Sequence, residues 1–179
     1  MTSRKYTGAA IFLVGARAVG KTTVGQSVAR KLKADFVDTD IYMGEIHQLT
    51  VAEIVAKEGW EGFRRHESAA LKEVARPGRV IATGGGMVLA GHNRTFMREH
   101  GLVFYLSAPA EVLGCRLSAD PKAAQRPSLT GKSVVEEMTQ ILMEREEFYQ
   151  SAAHHVVDAS GRLEDAVDFI LAKASGREI

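Results

Sequence analysis

The chain has 179 residues, 45% hydrophobic and 25% charged, enough to bury the core of one globular domain and not the composition of a disordered polymer. Its formal net charge of +1 gives no electrostatic basis for binding nucleic acid or an anionic membrane, so basic residues that matter act locally. The single cysteine, Cys115, rules out an internal disulfide and implies a reducing, cytoplasmic setting.

In chain order, "AAIFLVG" is the first element, a continuous apolar run of the length of a strand buried on both faces. Arg4 and Lys5 precede it and Ala16, Arg17 and Ala18 follow as an A-x-A, as in a secretory signal. The apolar run is too short for that role and passes directly into "GKTT", so a strand is expected instead. Residues 22–33 carry Val24, Val28 and Leu32 at helical spacing. "FVDTD" reads as a second strand. Val51, Ile54 and Val55 then mark a short helix, and a longer one is expected from Trp60 to Ala75. "RVIATGGG" is a third strand running into glycine, "GLVFYLS" a fourth and "HHVVDAS" a fifth. A last amphipathic helix is marked by Leu163, Ala166, Val167 and Ile170. Residues 118–132, with Pro121, Pro127 and Gly131, lack any period and read as a functional loop between two helical stretches. No apolar run approaches the roughly 20 residues of a membrane span.

Strands alternating with helices imply βαβ units, and so an α/β fold with a five-stranded parallel sheet flanked by helices, all in one domain over residues 1–179. Ligands of such sheets bind beyond the C-terminal strand ends. Three notable groups fall there: the loop after Val14, the pair Asp38 and Asp40, and the triplet Gly84, Gly85 and Gly86.

The loop "GARAVGKTT" fits G-x-x-x-x-G-K-[ST], the phosphate-binding loop of the P-loop NTPase fold. Gly15 and Gly20 allow the backbone to curl so that the N–H groups of Gly15, Ala16, Arg17, Ala18, Val19 and Gly20 point at phosphate oxygens. Lys21 reaches the β and γ phosphates, the Thr22 hydroxyl can ligate Mg²⁺, and Thr23 continues into the helix whose N-terminal end favours anions. Arg17 can serve an acceptor contact or face solvent. ATP is therefore the expected donor.

Asp38 and Asp40 are two apart, so on an extended segment both side chains leave one side, unless the strand ends between them. Two neighbouring carboxylates need a cation or hydroxyl groups to meet them. Arg64 and Glu67 are three apart on a helix, where the carboxylate can hold the guanidinium in position. Arginine forks at Arg64 and Arg145 suit a carboxylate, so the acceptor expected from these groups is a small polyhydroxy acid. His154 and His155 are adjacent in a strand and point to opposite faces, so no metal site is expected there.

Along nearly its whole length the chain resembles the shikimate kinases, through "GARAVGKTT", "FVDTD", "FRRHE", "TGGG", "RPSL" and "REEFY" in that order, with "VAEIVAKEGWEGFR" leading into Arg64. The resemblance implies transfer of the ATP γ-phosphoryl group to the 3-hydroxyl of shikimate, with Mg²⁺, by a monomer without an obligate protein partner. It implies that Asp40 holds the ring hydroxyls, including the attacking one, and that Arg64 and Arg145 bind the carboxylate. It also implies that Gly85, between Gly84 and Gly86, offers backbone N–H to a ring that a side chain there would displace. Asp38 would support Mg²⁺ beside Thr22, and Arg116 and the segment after Asp158 would flank adenine. Arg126 would close over the phosphates from a lid at about residues 118–132, making it a catalytic residue with Lys21 and Asp40. Two departures stand out: Ala18 where many members have glycine, and Ser128, which turns "RPLL" into "RPSL". A related kinase for gluconate or a nucleotide, and a nucleotide-dependent switch without catalysis, are the alternative readings.

Overall fold

A computed structural model describes residues 6–119 and 133–176. Five strands form one parallel sheet in the order β2-β3-β1-β4-β5: β1 (Ala10–Val14), β2 (Asp35–Asp38), β3 (Arg79–Ala82), β4 (Gly101–Ser107) and β5 (His155–Asp158). β1 lies at the centre with all five residues buried, as its unbroken apolar run requires. It pairs Leu13 with Ala82 of β3 and Val14 with Tyr105 of β4, so the loops leaving these strands emerge side by side.

The crossovers are helical, as parallel pairing demands. α1 (Lys21–Leu32) packs beside α7 (Leu163–Ala174), and both α4 (Gly91–His100) and α5 (Ala110–Ala119) pack on α6 (Val134–Ala152). The main core gathers β1, β3 and β4 with Val28, Leu71, Met97, Leu113 and Ile170. A second, small core joins α2 (Thr39–His47) to α3 (Val51–Val74) through Met43, Ile54, Phe63 and Ala70. Among the described residues no helix is long and apolar enough to cross a membrane.

The two helical stretches expected on either side of Trp60 meet within α3. Gly59, at φ 71 and ψ 176, breaks the helix in a region open essentially to glycine alone. Thr50 opens α3 with a capping box, its hydroxyl accepting from Glu53 N–H and its own N–H donating to the Glu53 carboxylate. α2 and α4 are absent from the sequence reading. In α2 only Thr39 and Met43 are buried while Ile41 and Ile46 face out, so it shows no apolar stripe. α4 buries only Asn93 and Met97 in an otherwise polar segment.

Candidate active site

The donor loop lies between β1 and α1. Gly15 and Gly20 have φ of 147 and 103, conformations that favour glycine, and a Cβ on Gly15 would meet Leu106 O of β4 at 2.5 Å. Ala18 also has positive φ, at 63, where an L side chain is strained. α1 has no acidic residue in its first turn, so nothing of its own competes for the positive end of its dipole. Lys21 Nζ donates to Gly15 O and Ala16 O, each at 2.8 Å. Desolvation pushes the Lys21 pKa down to about 8, against the pull of Asp40 and Asp38. Thr22 Oγ1 donates to Asp38 Oδ2 at 2.8 Å, which ties the loop to the end of β2.

Arg116, on α5, spans the outer side of this loop. One of its nitrogens donates to Val19 O at 3.2 Å and another to Ala159 O at 2.8 Å. It thus joins the phosphate loop to the segment after Asp158, which brings together Arg116 and that segment, the two groups expected beside adenine. Asp158 shapes that segment, its Oδ1 accepting from Ser160 N at 2.8 Å and Ser160 Oγ at 2.6 Å, and these bonds lower its pKa.

Beyond β2 the chain departs from the expected geometry. The strand ends at Asp38, which caps α2: Oδ1 accepts from Asp40 N at 3.0 Å and from Ile41 N at 3.4 Å. Asp40 is therefore a first-turn helix residue, and the two carboxylates do not share one side of an extended segment. The cap leaves Asp38 Oδ2 for Thr22 and directs Asp40 toward the glycine triplet.

The triplet follows β3 and is held from two sides. Gly84 N donates to the buried Thr39 Oγ1 at 3.0 Å, fastening the corner to α2. A Cβ on Gly84 would sit 2.7 Å from both Asp40 Oδ1 and Glu67 Oε1, and one on Gly86 would collide with the Arg64 guanidinium. On Gly85 it would face the phosphate loop, 3.6 Å from Arg17 N and Gly15 O, an ordinary contact. The triplet thus separates two tasks: Gly84 and Gly86 make room for acceptor-side side chains, and Gly85 lies against the donor loop.

Arg64 donates to Glu67, one turn along α3, and its guanidinium carbon lies 5.3 Å from the Phe63 ring and 5.7 Å from that of Trp60. Glu67 is only 1% exposed. Burial raises its pKa, with Arg64 acting in the opposite direction, so the arginine is what keeps a carboxylate tolerable there. From α6, Arg145 Nη1 donates to Gly85 O at 3.4 Å and the Tyr149 hydroxyl donates to the same oxygen at 2.7 Å.

Asp38, Asp40, Arg64, Gly84, Gly85, Gly86 and Arg145 thus converge beside the loop carrying Lys21 and Thr22. Arg126, Pro127 and Ser128, with residues 120–132 of the expected lid, lie outside the described residues, while Ser118 and Ala119, expected in the loop, belong to α5. Thr39 and Tyr149 were missed in the sequence. Tyr149 had a signal, since it follows Arg145 by four positions on one helix face. The histidine pair has structural partners: His154 Nδ1 accepts from Val103 N at 3.0 Å, and His155 stacks on Phe104 with centroids 5.3 Å apart.

The sequence model of the family described as shikimate kinase matches residues 17–175. The chain is 64% identical to a shikimate kinase 2 of Syntrophotalea carbinolica, over 84% of this chain and 87% of that one. It is 57% identical to a shikimate kinase 2 of Yersinia enterocolitica, over 90% and 92% of the two chains. The fold is similar to that of a shikimate kinase from Acinetobacter baumannii in complex with shikimate, with a TM-score of 0.85 and 33% identity over 95% of this chain and 94% of that one.

Proposed function

The chain belongs to the shikimate kinase family, and from that premise we propose how its residues divide the reaction. It is an ATP-dependent kinase that transfers the γ-phosphoryl group to the 3-hydroxyl of shikimate, giving shikimate 3-phosphate and ADP. The observation that carries the assignment of residues is the double contact of the glycine triplet, with Gly85 against the phosphate loop and Gly84 against Asp40. Donor and acceptor groups are thereby held at adjoining strand ends, which is what direct transfer without a covalent intermediate requires.

Thr22 Oγ1 and Asp38 Oδ2, 2.8 Å apart, fit a hydrated Mg²⁺ that travels with the nucleotide. The described residues hold no group of three His, Cys, Asp or Glu suited to a metal, which suits an ion that takes its other ligands from phosphate and water. Mg²⁺ bound there supplies neutralisation of phosphate charge.

Lys21 leaves the carbonyls of Gly15 and Ala16 to follow the β and γ phosphates, and the loop N–H groups with the α1 N-terminus hold the remaining oxygens. Arg64, braced by Glu67, and Arg145 grip the shikimate carboxylate from α3 and α6, which fixes the ring in one orientation. Asp40 accepts from the ring hydroxyls, aligns the 3-hydroxyl with the γ-phosphorus and takes its proton as the bond to phosphorus forms. The transition state is loose, so alignment matters more than base strength. Arg116 supports the adenine side. One chain contributes every residue assigned, so a monomer suffices, and the single Cys115 supports a cytoplasmic setting.

Purified protein with MgATP should release ADP in proportion to added shikimate and yield a product heavier by one phosphoryl group. Gluconate and nucleoside monophosphates should give no stimulation. ATP turnover indifferent to shikimate would overturn the assignment in favour of a switch or of a sister kinase.

A further inference from the structure

The acceptor residues stand on α2, α3, the glycine triplet and α6, and something must keep these parts in register. Tyr149 is fully buried on α6, and its hydroxyl donates beyond the helix to Gly85 O at 2.7 Å. Arg145 Nη1 approaches the same oxygen at 3.4 Å. A carbonyl has two lone pairs, so both donors can be served at once. The peptide unit is planar and trans, so holding Gly85 C=O toward α6 turns the Gly86 N–H away from α6. The phenol ring cannot swing to follow a drifting carbonyl. It is stacked on Tyr105 of β4, with centroids 5.0 Å apart and planes at 14°, and Tyr105 donates to Glu146 Oε2 at 2.5 Å, one turn before Tyr149. The brace is the ring stack itself, which phenylalanine at either position would keep, and it fixes the Tyr149 hydroxyl against the corner after β3.

We propose that Tyr149 is a positioning residue for acceptor binding: its hydroxyl sets the Gly85 peptide and, through it, the mutual placement of the glycine triplet and Arg145. The inference rests on the reading of these groups as the acceptor site. Burial raises the Tyr149 pKa to about 12, so the hydroxyl remains a neutral donor throughout the physiological range. No contact of Tyr149 with shikimate is required.

The test is Tyr149→Phe beside Tyr105→Phe, with KM measured separately for shikimate and ATP. Tyr149→Phe keeps the ring stack and leaves Gly85 O without its best donor. Shikimate KM should rise about tenfold, with the ATP KM within about twofold of the parent. Tyr105→Phe removes another hydroxyl from the same stack without touching Gly85, so its shikimate KM should stay within about twofold of the parent. An unchanged shikimate KM in Tyr149→Phe, or an equal rise in both variants, would overturn the inference. So would a parallel loss of both ligands in Tyr149→Phe, folding failure included, because the hydroxyl would then serve the fold as a whole. If the parent protein gives no shikimate-dependent ADP release, the functional reading fails first. If the parent responds and Tyr149→Phe matches it, only the positioning role fails.

Discussion

Lys21 finds its oxygen partners five and six residues back, at Ala16 and Gly15, whereas Arg145 finds its partner at Gly85, sixty residues away. The donor loop takes its shape chiefly from consecutive backbone torsions and one helix N-terminus, with Asp38 and Arg116 tying it to its neighbours. The acceptor corner is assembled from the end of β3, the first turn of α2, the second half of α3 and one face of α6. Binding and stability are therefore separable at the donor loop and entangled at the acceptor corner, where a buried carboxylate and a buried hydroxyl serve both.

The contrast should be sharpest at Lys21. Lys21→Ala is expected to lower kcat by about two to three orders of magnitude, the scale of losing one charge-stabilising group at a reacting centre. It should melt no lower than the parent, because the ammonium is desolvated where it stands. A coupled ADP assay and a thermal melt on one preparation decide this, and near-parental turnover would break the donor half of the comparison.

Arg64→Ala should injure binding and fold together. Shikimate KM is expected to rise at least about tenfold while ATP KM holds, and the Glu67 carboxylate, stripped of its partner, should cost about 3 kcal/mol at neutral pH. Glu67 has a raised folded pKa, so its contribution to stability is fully present below the unfolded carboxylate range and is lost as pH rises through the folded value. Without Arg64 that pKa rises further, and the melting temperature should fall more steeply than in the parent as pH rises above the unfolded carboxylate range. Parallel slopes for the two proteins would mean that Arg64 does not sustain the charge on Glu67.

Smaller effects distinguish the glycines. Gly84→Ala and Gly86→Ala place a methyl against Asp40, Glu67 or Arg64 and should raise shikimate KM on the order of tenfold. Gly85→Ala meets only ordinary contacts and should be the mildest of the three. Equal effects would show that the triplet acts as a unit. Smallest of all, Ala18→Gly relieves a φ of 63 within the donor loop and should add up to about 1 kcal/mol of stability with turnover unchanged. A loss of turnover there would show that phosphate transfer depends on the torsion held at residue 18.

All five strands can be read from the sequence, because each carries adjacent apolar residues and the central one is an unbroken apolar run. The phosphate loop is legible for the same reason that it is robust: its instructions are contiguous. α2 is not, since a helix that buries Thr39 and Met43 while exposing Ile41 and Ile46 carries no periodic signal. Missing α2 misplaces Asp40 by turning a capped helical turn into a strand. Arg64, Glu67 and Arg145 can be picked out by residue type and spacing. That Glu67 is buried, and that Gly85 offers its carbonyl to α6, depends on packing between segments far apart in the chain.

The small core between α2 and α3 has one more consequence. Four buried side chains hold this unit together, the Gly59 break separates its leading half from the rest of α3, and the sheet is stabilised by a different and much larger cluster. Such a unit is expected to open at a free energy below that of global unfolding. Its amide protons should exchange ahead of those in β1, and on heating the protein should lose its hold on the ring acid while the nucleotide loop is still intact.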